Sequence, residues 1–205
     1  MIFVLAAALG LLIASIRSAL RRVPLSAIAD VRFKGVLVLV PAVGFRILLN
    51  PMVMSSDFGA RLAAPILPGV VSLPLGGVLN LASFLCALAF LYLNRHLPGF
   101  KVILLGLALN VLVIAFYGGQ MPGDRAQLAA AGLLRDQLAT MAKGLWSPFS
   151  VTEPGAPLWL LSDIIYVPMP FREPTIASVG DFVIMFGVIG FFNPLTRRTA
   201  VARQV

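Results

Sequence analysis

Long apolar runs, each ended by charge or by glycine and proline, are the feature that most constrains this chain. A helix that crosses a bilayer needs about 20 mostly apolar residues, and runs of roughly this length recur along the sequence. Only 12% of the 205 residues are charged and 60% are hydrophobic, whereas soluble domains carry about 25% charged residues. The composition therefore predicts a polytopic membrane protein.

Apolar segments of this kind predict about five membrane-spanning helices. The first resembles a signal peptide in length, but no positive charge precedes its apolar core, and a cleaved signal has the opposite arrangement. We therefore expect it to be retained. The predicted fold class is an all-α membrane protein, a single polytopic domain over residues 1–205. Its spans cover about residues 1–17, 35–54, 75–93, 100–117 and 179–192.

The distribution of arginine and lysine predicts the orientation of the chain. The segments after the first, third and fifth spans are richer in basic residues than the longer segments between the other spans. By the positive-inside rule these basic segments are cytoplasmic, so we expect an inner-membrane protein with its N-terminus outside and its C-terminus inside. The basic residues concerned are Arg17, Arg21, Arg22, Arg32, Lys34, Arg95, Lys101, Arg197, Arg198 and Arg203.

The net charge of +8 limits the partners that the chain can have. In a soluble protein such a charge would suggest nucleic acid, but no nucleic-acid motif accompanies it. Basic clusters beside apolar spans instead predict contact with anionic lipids of the bilayer. A single cysteine, Cys86, and a single histidine, His96, give no disulfide framework and no metal-ligand pattern. We expect neither a metal nor a cofactor.

Two long segments are predicted to face outward. Residues 50–74 are apolar and contain several prolines, which fits either a short interfacial helix, the interpretation we favour, or a re-entrant segment. Residues 124–143 show apolar side chains at three- and four-residue steps, which predicts an amphipathic helix capped by Asp124. Residues 147–178 are broken by proline throughout and are expected to form a lid loop.

The stretch "YGGQMP" ends the fourth span abruptly. Gly118 and Gly119 permit the backbone to leave the helix in left-handed geometry, and Pro122 prevents the helix from resuming. Such a stop needs neither Gln120 nor Met121. The stretch therefore indicates either a helix end alone or a loop that also binds a ligand.

Polar residues within the spans are the remaining candidates. Arg46 is costly inside a span, and we predict that it snorkels outward or pairs with Asp181 or Asp163. Ser178 is expected to cap the last helix, with Asp181 completing a capping box. Asn80 and Asn110 are expected to form hydrogen bonds between helices.

The motifs "YGGQMP", "LSDIIYVP" and "ASVGD" resemble those of a bacterial family of small polytopic integral membrane proteins of unknown function. That family carries Gly-Gly-x-Met-Pro, Asp-Ile with a following Pro, and Ser-x-Gly-Asp. The chain departs from its pattern at Tyr117, where Asn is usual, and at Ser162, where Gly is usual. The resemblance implies that the three motifs share the outward face, and it brings no activity with it. The matching residues are Gly118, Gly119, Met121, Pro122, Asp163, Ile164, Pro168, Ser178, Gly180 and Asp181.

Three functions follow from these patterns. The favoured one is a non-enzymatic accessory or binding subunit, whose outward loop site at "GGQMP", Asp163 and Asp181 docks a membrane-protein partner or a lipid headgroup. The second is a small transporter or channel with Arg46 and Asp181 flanking a pathway, although the polar residues gather at one edge rather than along the bundle. The third is a lipid-modifying enzyme, which requires Asp163 and Asp181 to converge.

Overall fold

The computed structural model describes residues 12, 15–16, 31–48, 74–169 and 173–192, except for the side chains of Arg46 and Leu48. Two predictions lie outside this part of the chain. They are the first span and the alternative between an interfacial and a re-entrant segment at 50–74.

Six α-helices and four short strands make up the described part. The helices are α1 (Leu39–Leu48), α2 (Leu75–Leu93), α3 (Phe100–Phe116), α4 (Arg125–Ala130), α5 (Leu134–Ala142) and α6 (Val179–Phe191). The strands are β1 (Met121–Asp124), β2 (Phe149–Thr152), β3 (Ile165–Val167) and β4 (Thr175–Ala177). Strand β1 pairs with β2 in parallel, and β3 pairs with β4 antiparallel.

The predicted all-α bundle of about five spans is wrong, because the fold is mixed. Among the described helices only α2, with 19 residues, is long and apolar enough to cross a membrane, and α3 and α6 have 17 and 13 residues. The expected lid loop contains strands instead. All four residues of β1 are buried, so their backbone groups need partners that water cannot supply, and pairing with β2 provides them.

The helices nevertheless begin and end close to the predicted residues. Helix α2 matches the segment 75–93, and α3 and α6 each end one residue before the predicted segment does. The predicted amphipathic helix is divided into α4 and α5 at Gly132, whose φ of 75° is left-handed. Asp124 caps α4 as predicted, since its Oδ1 accepts hydrogen bonds from the backbone N–H groups of Ala126 and Gln127 at 3.0 and 3.1 Å.

Glycines let α3 and α6 approach each other closely. A Cβ on Gly106 would meet the backbone oxygen of Gly180 at 2.6 Å, and a Cβ on Gly187 would meet the backbone nitrogen of Ile103 at 2.7 Å. Helix α2 packs against α3, and α1 packs against α2. Small residues at such contacts are the usual means by which apolar helices associate tightly.

The described helices have two distinct ends. At one, which we call the basic end, Asn94 accepts a hydrogen bond from Lys34 N–H and donates one to the Lys34 carbonyl, both at 2.8 Å. These bonds join the start of α1 to the end of α2, and the rings of Phe100 and Phe191 meet at the same end. At the other end lies the cap, which we define as residues 118–178, described at 118–169 and 173–178.

The close contact of α3 and α6 can be tested with a glycine substitution. Gly106→Ala is expected to lower the free energy of unfolding by about 1–3 kcal/mol, because the added Cβ would press on backbone atoms that cannot move aside. Gly44→Ala in α1 is the matched control, since no atom of the described residues outside the local helix lies within 4 Å of that Cβ, and it is expected to stabilise by roughly 0.5–1 kcal/mol. Unfolding of the purified proteins in one detergent measures both, and equal stabilisation by the two would contradict the packing.

Candidate functional site

Backbone hydrogen bonds fix Asp163 beside strand β1. Its N–H donates to the carbonyl of Pro122 at 2.9 Å, and its own carbonyl accepts from the N–H of Asp124 at 3.0 Å. These bonds form a parallel bridge to Gly123. The Asp-Ile motif and the Met-Pro motif are thereby joined, although about 40 residues separate them in the chain.

The carboxyl group of Asp163 is buried and incompletely paired. The residue is 6% exposed, and within the described part of the chain its Oδ1 has no hydrogen-bond partner. Burial, with a smaller contribution from the charge of Asp181, raises the pKa of Asp163 to about 8. The carboxyl therefore holds its proton at neutral pH, because an uncompensated buried charge is very costly.

A network of four hydrogen bonds holds Asp181 at the start of α6. Its Oδ2 accepts from the backbone N–H of Ser178 at 3.1 Å, and its own N–H donates to Ser178 Oγ at 3.1 Å, which forms the predicted capping box. Its Oδ1 accepts from Asn110 Nδ2 at 2.9 Å. The Ser178 hydroxyl donates to Asn110 Oδ1 at 2.9 Å. Asn110 thus connects α3 to α6 as predicted.

The glycine turn after α3 packs against the start of α2. Gly118 and Gly119 have φ values of 63° and 91°, as the sequence predicts, and Gly119 N–H donates to the carbonyl of Ile114 at 2.8 Å in the pattern of a glycine-terminated helix. Gly119 also lies against Gly77, where a Cβ on either would clash with backbone. Asn80 Nδ2 donates to the Gly119 carbonyl at 2.7 Å, so Asn80 ties α2 to the turn.

Gln120, Met121 and Pro122 serve the cap itself. Gln120 Nε2 donates to the carbonyl of Ser147 at 2.7 Å, and the N–H of Met121 donates to that of Pro148 at 2.8 Å. Met121 and Pro122 are both buried. These contacts account for the residues that a simple helix stop does not need.

Among the predicted site residues, the structure places Asp163 near Asp181 and beside strand β1. Asp163 and Asp181 are close enough to interact electrostatically, and Pro122 and Asp124 of β1 hold the backbone of Asp163 by hydrogen bonds. The predicted pairing of Arg46 lies outside the described side chains. Across the described residues, no group of three His, Cys, Asp or Glu side chains is arranged to hold a metal ion.

Two tryptophans of the cap carry structural roles that the sequence did not reveal. Trp159 Nε1 donates to Asp124 Oδ2 at 3.0 Å, so the capping residue of α4 also anchors the segment before Asp163. Trp146 is 4% exposed and lies directly over Gly76 at the start of α2. The pair Gly76–Gly77 was a possible signal, since adjacent glycines at a helix start permit close approach.

The site contains two carboxyl groups. That of Asp163 is buried and has a raised pKa, and that of Asp181 is held in place by hydrogen bonds from Asn110 and Ser178. Two carboxyl groups in different environments can divide donor and acceptor roles between them. Asp163 can donate its proton in a hydrogen bond, and Asp181 is committed as an acceptor to Asn110 and Ser178.

Comparison with known proteins identifies a family but no activity. A model of the family of unknown function DUF5317 matches residues 30–193, so the chain belongs to that family. An uncharacterized protein of Thermotoga maritima is 33% identical over 122 residues, which cover 58% of this chain and 66% of that protein. The chain thus spans just under two thirds of that relative. No solved structure matches. The predicted resemblance to a family of unknown function is confirmed at that level.

The raised pKa of Asp163 predicts a stability that depends on pH. Its pKa is 3.8 when unperturbed and about 8 in the folded protein, so between these values the unfolded chain binds fewer protons than the native one. Stability is then greatest at the acid side of this range and falls, by at most about 1.4 kcal/mol per pH unit, as the pH rises toward 8.

Asp163→Asn is the variant that tests this dependence. It keeps the backbone hydrogen bonds and removes the titrating group, so its melting temperature is expected to fall less between about pH 5 and pH 8 than that of the unsubstituted protein. Asp136→Asn, at an exposed position of α5, is the control and should keep the full dependence. Equal slopes for all three proteins would rule out a buried, protonated Asp163.

Proposed function

We propose that this member of DUF5317 is an integral protein of the bacterial inner membrane that acts as an accessory or binding subunit. Its helices lie in lipid, its basic end faces the cytoplasm, and its cap faces outward and docks a partner protein or a lipid headgroup. The acid pair Asp163–Asp181 lies where the cap meets α6, and we assign it the role of making that docking depend on protons.

The exposed apolar surface of the helices is the observation that carries this proposal. The apolar window of α2 is only 28% buried, whereas a core helix of a soluble protein is mostly buried. Leu85 of α2, and Leu105 and Leu112 of α3, are 57%, 57% and 53% exposed. Soluble monomers rarely expose contiguous apolar patches of this kind, and a bilayer is the environment in which such a surface is stable.

The sorting of charge along the helices supports the orientation. Every carboxylate of the described residues lies in the cap or in the first turn of α6, and the basic end has none in the stretches 31–38, 90–102 and 187–192. It carries Arg32, Lys34, Arg95 and Lys101, all exposed. Cations without carboxylates suit a cytoplasmic surface next to anionic lipids.

The burial of Asp163 favours binding over catalysis. A general acid must come within about 3 Å of the atom that it protonates, and Asp163 Oδ1 is buried inside the cap, with no hydrogen-bond partner among the described residues. A change in the protonation of Asp163 therefore affects the cap around it, and not a substrate directly. A transporter is less well supported, because both amide atoms of Asn110 are occupied by Ser178 and Asp181.

A lipid-modifying enzyme is the second candidate, and the proximity of Asp163 and Asp181 favours it. The test uses the protein in vesicles of bacterial inner-membrane lipids, followed by mass spectrometry of the lipids. Products that form with the unsubstituted protein, and not with Asp163→Asn or Asp181→Asn at equal abundance, would favour catalysis over binding. Unchanged lipids in all three samples are expected if the protein is a binding subunit.

Cysteine labelling tests the proposed location directly. In a Cys86→Ala background, Glu153→Cys places a thiol at an exposed position of the cap, and His96→Cys places one at the exposed basic end. An impermeant thiol reagent is expected to label position 153 in intact spheroplasts and position 96 only after permeabilisation.

Two results would contradict the proposal in different ways. Labelling of position 96 but not of position 153 in intact spheroplasts would mean that the basic end, and not the cap, faces outward. Recovery of the protein in the soluble fraction after lysis would remove the membrane location altogether.

A further inference from the structure

A groove of about 370 Å³ lies between α1, α2 and α3. Its lining is apolar except for one serine: Ala42, Val43, Ile47, Ser83, Phe84, Ala87 and Leu107. The Ser83 hydroxyl donates to the carbonyl of Asn80 at 2.7 Å within its own helix. An occupant of the groove therefore need not accept a hydrogen bond from it. The groove is therefore suited to a hydrocarbon chain.

The depth of the groove follows from the antiparallel pairing of α1 with α2. Ala42 lies seven residues after Gly35, and Ala87 lies seven residues before Asn94, which places both about 10 Å from the basic end at the rise of a helix. Ile47 and Ser83 lie roughly 16–18 Å from it by the same measure. One leaflet of a bilayer has a hydrocarbon thickness of about 15 Å, so the groove lies at the depth of the distal parts of that leaflet's acyl chains, near the bilayer midplane.

The basic residues at this end of the helices favour a lipid with an anionic headgroup. Arg32 and Lys34 lie in the segment that leads into α1, from which the 3-10 turn Val36–Val38 separates them, and both are exposed. The two hydrogen bonds between Lys34 and Asn94 hold this segment at the end of α2. The basic end carries exposed cations and, among its described residues, no carboxylate, which favours an anionic headgroup there.

We propose that the groove binds one acyl chain of an anionic phospholipid, whose phosphate contacts Arg32 and Lys34 at the basic end. This inference rests on the proposed membrane location of the protein. The small side chains of Ala42 and Ala87 provide the width that the chain occupies. The site is separate from the acid pair, which lies at the opposite end of the helices.

Native mass spectrometry of the full chain in detergent, with added phosphatidylglycerol or phosphatidylcholine, tests the proposal. The unsubstituted protein is expected to retain phosphatidylglycerol in preference to phosphatidylcholine. Arg32→Gln/Lys34→Gln should bind phosphatidylglycerol about thirtyfold more weakly, from two basic contacts with an anionic lipid. Arg135→Gln/Lys143→Gln, which removes two exposed cations of the cap, should leave binding unchanged.

A second pair of variants tests the acyl chain separately from the charge. Ala87→Leu narrows the groove and is expected to weaken retention of both lipids. Ala89→Leu, on the same helix at an exposed position, should have no effect. Because the cationic variants change only surface side chains, a misfolded Ala87→Leu would still leave the proposal open to refutation.

Three outcomes would overturn the inference. These are equal retention of the two lipids by the unsubstituted protein, no loss with Arg32→Gln/Lys34→Gln, and a dimer that occupies the groove in place of lipid. Extraction of cell membranes with alkaline carbonate distinguishes failure of the lipid site from failure of the proposed membrane location. A protein that stays in the membrane but shows any of these outcomes refutes the lipid site alone, and a protein released by carbonate refutes the membrane location.

Discussion

The hydrogen bonds that Asn110 makes with Ser178 and Asp181 are the contact on which the arrangement of the cap depends. They join α3, which leads into the cap, to α6, which leaves it. The helices can approach closely enough for these bonds because Gly106 and Gly180 carry no side chain at the crossing. A glycine contact thus positions an amide, the amide positions the first turn of α6, and that turn places Asp181 near Asp163. Each step depends on the preceding one, so we expect the site to be sensitive to a change at Gly106, one helical turn from Asn110.

The cap illustrates how non-helical backbone is accommodated at the end of an apolar helix bundle. Residues 121–124 are buried, and buried backbone groups need partners. The two short sheets supply many of them, and Asp163 supplies two more through its own N–H and carbonyl. Its side chain is then buried, and within the described residues its Oδ1 has no hydrogen-bond partner. The raised pKa of Asp163 is therefore a consequence of the way in which the backbone of the cap is satisfied.

Sequence reasoning predicted the long elements and the local stops, and it missed the sheets. The limits of α2, α3 and α6 are readable because apolar runs meet glycine, proline or a capping serine, and each of these acts within a few residues. The glycine turn at Gly118 is predictable for the same reason. Strand β1 has only four residues, one of them Pro122, and its partner β2 lies about 25 residues further on. Neither the β-propensity of its residues nor an alternation of apolar and polar side chains therefore identifies the strand. The isolated state of the Asp163 carboxyl depends on that pairing, and no local pattern encodes it.

The two ends of the helices respond to different physical variables. At the cap, the cost of a charge on Asp163 is a matter of burial, so salt affects it little and protons affect it strongly. At the basic end, Arg32 and Lys34 are exposed, so their interactions with anions weaken as salt is added. The helices between them carry exposed apolar side chains. The two ends thus differ in the variable to which each responds: burial makes the cap sensitive to pH, and exposure makes the basic end sensitive to salt.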